Sequence, residues 1–352
     1  MSFGREPNFE QVEVEVPKTV LVDKQRAFEV LDTLMEAYEN KQPPYDTFVP
    51  PQELEPDCLK PDGELYGTTQ HAMYLWNACA YMSATDSNMS FQHLTELFYS
   101  RPELFDCDSL QHYNEAELGE VLRLGVPLGR HHSVAKTWIE NAHRLAENHD
   151  GNPLNVFNDV ASYDECLKKL RNDGKGGGFR GFQAKMVSMI LYYYQGDGLL
   201  PKSQFPVPVD LHVLRVALAT EMVKPNVAAF HRTPVVEDSI RDLTLSYIEE
   251  RDVDPLVLTD AMWGLSSSFC NRQPGNIARS KKIGGRIFHA FTEIDHENPQ
   301  QSKAWHNTCG RCALNAFCVN DIPSAPYYKS GTLAIRLRPE GEYVRQALSD
   351  ES

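Results

Sequence analysis

Gly177–Val216 reads GGFRGFQAKMVSMILYYYQGDGLLPKSQFPVPVDLHVLRV. Glycines at 177, 178 and 181 punctuate a turn, since glycine accepts positive φ and lets backbone come close to another molecule. A turn that feeds a helix N-terminus points N–H groups outward, which suits a phosphate. The periodicity predicts a helix over 181–195, with Phe182, Met186, Met189, Ile190 and Tyr193 on one stripe. Lys185 falls in its first turn, off much of that stripe. A Pro-rich loop follows. Asp210 then stands where an N-cap belongs, ahead of Leu211, Val213, Leu214 and Val216.

Outside this block the pattern stays helical. Apolar residues recur at helical spacing in Lys24–Asn40, Gln70–Ser83 and Gly129–Asn148, and further helices are expected at 89–105, 115–124, 210–222, 236–251 and 255–268. Residues 1–20 read as an acidic arm, and 42–66 as a Pro- and acid-dense loop. No internal repeat stands out. His131 and His132 are neighbours on a helix, point apart, and read as a solvated or capping pair. The helix before Ser83 runs into Ser83-Ala84-Thr85-Asp86, which on its own reads as a helix end followed by an N-cap.

At 352 residues the chain has room for a large core. No apolar run is long enough to span a membrane, and no signal peptide is evident. The net charge of −15 argues against a simple nucleic-acid coat. Residues 1–70 hold fifteen Asp/Glu against six Lys/Arg, so much of the excess is local. By contrast 272–286 has five basic residues and no acidic one, including Arg279, Lys281, Lys282 and Arg286. Such a stripe binds phosphate on an otherwise acidic molecule.

Of eight cysteines, Cys58, Cys79, Cys107 and Cys166 are scattered and read as buried thiols of a reducing compartment, cytoplasmic or nucleoid-associated. Cys309, Cys312 and Cys318 form Cys-x2-Cys-x5-Cys, and Cys270 precedes them by 39 positions. Four thiolates fit a 4Fe–4S cluster or a tetrahedral zinc ion, and spacing alone leaves both open.

Three of these blocks together resemble the endonuclease III (helix-hairpin-helix) superfamily of DNA glycosylases. Its hairpin Gly-hydrophobic-Gly-x-Lys is matched by Gly181-Phe182-Gln183-Ala184-Lys185, with Gln183 in place of the second glycine. Its Val-Asp-x-His is matched by Val209-Asp210-Leu211-His212. Its Ser-Ala-Gln-Ala-Thr-Asp is similar to the segment around Ser83, which takes the place of the gap-filling Gln. Its cluster loop shares the last three cysteine positions, with roughly thirty residues inserted after Cys270.

The resemblance implies an all-α, two-lobed fold with a C-terminal 4Fe–4S loop. One lobe, 70–205, would carry the hairpin. The other, 206–325 with insertion 271–308, would carry Asp210 and the cluster on Cys270, Cys309, Cys312 and Cys318. Residues 1–69 would be an N-terminal extension whose helix packs on the cluster lobe, and 326–352 a tail. The cleft between the lobes would hold Lys185 and Asp210.

The implied activity is excision of a damaged or modified base, flipped out of duplex DNA, by a monomer. Asp210 would stabilise the transition state, and Lys185 would add abasic-site lyase chemistry. Gly178, Arg180, Gly181, Gln183, Ser83, Arg279, Lys281 and Lys282 would meet DNA. His212 and Arg215 read as structural. The alternatives are a phage-type thymine-hypermodification enzyme on the same scaffold, and a non-catalytic DNA-binding relative.

Overall fold

The computed structural model describes residues 19–81, 87–124, 130–172, 177–225, 234–270, 279–283, 286–291, 299–318 and 332–336. Side chains of the strands between 279 and 336 are outside this description. The order is β1 (Val20–Val22), α1 (Lys24–Glu39), α2 (Thr69–Tyr81), α3 (Ser87–Ser100), α4 (Cys107–Leu110), α5 (Glu115–Leu122), α6 (His131–His149), α7 (Tyr163–Leu170) and α8 (Ala184–Gly196). Then come α9 (Leu211–Ala219), β2 (Val223–Pro225), α10 (Pro234–Arg251), α11 (Pro255–Leu265), β3 (Arg279–Ile283), β4 (Arg286–Phe291), α12 (Pro299–Asn307) and β5 (Thr332–Arg336). The protein is thus mainly helical, as the periodicity predicts. Among the described residues no helix is long and apolar enough to cross a membrane.

The chain divides into two compact units, 49–208 and 1–48 with 209–352. The first also takes in 49–69. Its core is aromatic: Tyr74 and Trp76 of α2, Phe91 of α3, Phe105, Trp138 of α6, Phe182 and Tyr194 of α8 are all buried. Trp138 Nε1 donates to Asn77 O at 3.1 Å and Tyr194 Oη to Ala72 O at 2.9 Å, so the polar tips of these large side chains are satisfied.

The second unit is built on α1. Asp23 caps this helix by accepting from Arg26 N at 3.0 Å, and its buried face carries Ala27, Phe28, Val30, Leu31, Leu34 and Met35. That face packs with α10 and α11, through Phe28 edge-on to Tyr247 at 5.1 Å. β1 pairs antiparallel with β2, Val20 opposite Pro225. The insertion is a hairpin of β3 and β4, Arg279 opposite Ala290, with β5 added parallel to β4. These strands depart from a purely helical expectation. Their pattern is short and two-sided, so helical periodicity passes over them.

Candidate functional site

The hairpin between α7 and α8 follows from two glycines and one asparagine. Gly178 has φ +66, and a Cβ there would stand 2.1 Å from Arg171 O. That close approach lets Phe179 N donate to Leu170 O at 2.9 Å, closing the turn back on α7. Gly181 has φ +84 with open space around it, the nearest atom being Thr137 Cγ2 at 3.5 Å. Asn141 of α6 grips the tip from both sides: its Nδ2 donates to Arg180 O at 3.0 Å and its Oδ1 accepts from Arg180 N at 2.8 Å. Arg144 adds a bond to Gly178 O. Phe182 anchors the turn on Trp76, ring centroids 4.4 Å apart.

Sequence reasoning passed over Asn141. It interrupts the apolar stripe Val134, Trp138, Ala142, Leu145, and a buried amide inside such a stripe signals a fixed partner. Gln183 has a local role as well. It is the residue before α8, in extended conformation, so no glycine is required there. Its Nε2 donates to Asn172 O at 3.2 Å and its Oε1 accepts from Arg171 Nε at 3.3 Å. Arg180 pairs with Glu140 at 3.3 Å.

Beside the hairpin lies a cavity of about 360 Å³, lined by Cys79, Arg130, Thr137, Arg180, Gly181 and Met186 among others. Two guanidinium groups thus meet an apolar floor. Lys185, half-buried in the first turn of α8, is close enough for its charge to act on Cys79. Burial nevertheless drives that thiol far up, which leaves Cys79 an inert wall residue.

Asp210 belongs to the other unit. It is the N-cap of α9, and its Oδ1 accepts from His212 N at 2.8 Å and Val213 N at 3.0 Å. Both bonds end on Oδ1, so Oδ2 is not committed to the cap. The residues leading in, Phe205, Val207 and Val209, are fully buried. His212 Nδ1 lies 3.2 Å from Ser266 Oγ, and the buried Arg215 reaches the same hydroxyl at 3.4 Å. Arg215 is also near enough for its charge to act on the Cys270 thiol.

α11 ends in a π turn, Ser266–Cys270, that delivers Cys270. Cys309 opens a short 3-10 turn, and Cys312 N donates to Cys309 O at 3.1 Å. Cys270, Cys309 and Cys318 all lie near enough to Cys312 to act on its thiol. Burial pushes the Cys312 thiol well up, and the neighbouring Cys270, Cys318 and Cys309 add to it. Arg26 of α1 ties the loop down by donating to Phe317 O at 2.8 Å. A chain that leaves after Cys270 thus returns to the same point. Arg279, Lys281 and Lys282 lie on β3 of the excursion. Ser83 lies outside the described residues.

One further cluster was not legible from spacing. Glu55, His71 and Asp197 converge in the first unit, His71 Nε2 lying 3.1 Å from Asp197 Oδ2 and 3.8 Å from Glu55 Oε2. Gly67 N lies 3.3 Å from Nδ1 on the opposite side of the ring, and Nε2 faces the carboxylates. Burial pushes the Glu55 carboxyl up to about 8, with His71 opposing and Asp197 adding. Glu55 Oε1 has no partner among the described residues, a position a neutral carboxyl tolerates better than a carboxylate. Burial pulls His71 down, but Asp197 and Glu55 outweigh it and hold the ring up at about 9.

Both folded values exceed the ordinary ones of 4.5 and 6.5. The stabilisation is therefore complete below about 4.5, declines between 4.5 and about 8 for Glu55 and between 6.5 and about 9 for His71, and is gone above that. The melting temperature should fall by roughly 5 °C or more between neutrality and the far side of that window. Glu55→Gln should flatten the fall. Thermal melts across the range check this, and equal slopes in both proteins would refute it.

No protein-family model matches the chain, and no curated protein matches it. Solved structures do. A non-covalent endonuclease III–DNA complex is similar over 86% of this chain and 97% of its own, with 14% identity and TM-score 0.47. A thermostable thymine-DNA glycosylase covers 70% and 88%, at 10% identity and TM-score 0.44. A trapped endonuclease III–DNA covalent intermediate covers 71% and 89%, at 15% identity and TM-score 0.43.

Proposed function

We propose that this protein is a DNA glycosylase acting on a damaged or modified base flipped out of a duplex. The observation that carries the reading is Asp210. A carboxylate fixed by two backbone N–H groups through one oxygen keeps the other oriented and available. Breaking an N-glycosidic bond builds positive charge on the sugar, and a preorganised negative group beside C1′ stabilises it. Flipping the base costs a few kcal/mol. Main-chain N–H groups of the hairpin would hold the neighbouring phosphate, a contact that positions without reading sequence. The cavity with Arg130 and Arg180 suits an anionic, partly apolar group such as a nucleotide.

Cys270, Cys309, Cys312 and Cys318 would hold a 4Fe–4S cluster, whose contribution is to brace the loop. Four thiolates also suit tetrahedral zinc, and metal analysis with visible absorbance of the isolated protein separates the two.

Lys185 is assigned the lyase step. Its amine forms a bond to C1′ as the C1′–N bond breaks, and the base leaves with the electron pair and takes up a proton. The C1′–O4′ bond then breaks, O4′ keeping the electron pair and taking a proton from the nitrogen, to give the Schiff base, and loss of a C2′ proton from it expels the 3′ phosphate and cuts the strand. Borohydride should trap a covalent protein–DNA complex in the parent protein and none in Lys185→Ala. Base release without trapping in the parent would leave Asp210 with a water nucleophile and remove the lyase role. Absence of release from any base in a panel of lesion-bearing and phage-type modified duplexes would overturn the glycosylase reading.

A further inference from the structure

Two histidines adjacent in sequence ordinarily diverge on a helix. Here they converge. His131 is the first residue of α6, and its ring centroid lies 4.3 Å from that of His132. Glu120, at the end of α5, joins them: one donor atom from each of the three lies within 4.8 Å of the others. α5 and α6 pack side by side, which fixes this meeting point.

Gly119 makes the arrangement possible. A Cβ there would stand 2.4 Å from His132 Nδ1, so the ring rests on a bare Cα. His131 is only 7% exposed, and its Nδ1 is buried with no hydrogen-bond partner among the described residues. A buried nitrogen in that state is unfavourable unless something occupies it.

We propose that Glu120, His131 and His132 form a binding site for one divalent transition-metal ion of the zinc type. Two imidazole nitrogens and one carboxylate oxygen are a donor set that zinc uses with water in the remaining position. Imidazole selects zinc, nickel or copper over magnesium and calcium, which want oxygen throughout. Bonds of about 2.1 Å place tetrahedral donors about 3.4 Å apart, a side-chain rotation from the observed gathering. Glu120 also meets Arg123 Nε at 3.1 Å, but both side chains are more than half exposed, and such a pair is displaced at little cost. The Glu55–His71–Asp197 cluster offers no comparable site, because the His71 nitrogen that faces the carboxylates carries the proton. The ion would link α5 to the first turn of α6, next to Arg130 and Ser133 of the cavity wall.

The test uses the full chain as isolated, with its cysteine set as found, and zinc chloride as the probe. Equilibrium dialysis with metal analysis should show one zinc gained per chain. Zinc-edge X-ray absorption should show a shell of nitrogen and oxygen only. Glu120→Gln and His132→Ala alter exposed side chains and should fold. Each should weaken uptake about tenfold or more, and zinc should raise the melting temperature of the parent but not of the double variant. Equal uptake by parent and double variant, a sulfur shell around the zinc gained, or no uptake by the parent would each overturn the proposal.

Discussion

Asp210→Asn should abolish base release, by about 10²-fold at the least, and leave the fold intact. Asparagine caps helices as well as aspartate does, so His212 N and Val213 N keep an acceptor. Only the charge is lost. The melting temperature should therefore stay within about 2 °C of the parent. Asp210→Ala loses both charge and cap, and should add about 1 kcal/mol of destabilisation. The pair separates chemistry from architecture. Single-turnover release kinetics beside thermal melts read both. An active Asp210→Asn protein would reduce this residue to a cap.

The second large effect is expected at Gly178. Alanine there meets Arg171 O at 2.1 Å and Leu170 O at 2.7 Å, atoms of backbone that cannot rotate away, in a left-handed conformation that already disfavours a side chain. The hairpin must open. A loss of about 3 kcal/mol or more is expected, with duplex binding weakened alongside. Gly181→Ala is the control. Its φ is also positive, but its Cβ has room, so about 1 kcal/mol is expected. Denaturant melts rank the two, and equal costs would contradict the close approach on which the turn depends.

The helices were legible because their stripes bury one face, as in α1, α6 and α8. The hairpin was legible because glycines have few other reasons to cluster before a helix. Cys309, Cys312 and Cys318 stand out in the sequence as a proposed ligand set because thiol spacing is a short-range code. Long-range meetings were not. Glu55, His71 and Asp197 come from a loop, a helix start and a helix end, and no local pattern links them. Asn141 was hidden in an apolar stripe. The two histidine rings lie closer than expected for a specific reason: divergence holds inside a helix, whereas His131 opens one and Gly119 leaves room for its neighbour to turn back. The strands β3 to β5 join a basic insertion to a tail segment, a parallel pairing that periodicity does not encode.

The most direct test of the central claim is mass spectrometry of both products after incubation with duplexes carrying a panel of damaged and modified bases. A free base in solution is expected, with a strand that has lost that base or been cut where it stood, and neither should form with Asp210→Asn. A strand that keeps its glycosidic bond and carries an altered base would contradict it.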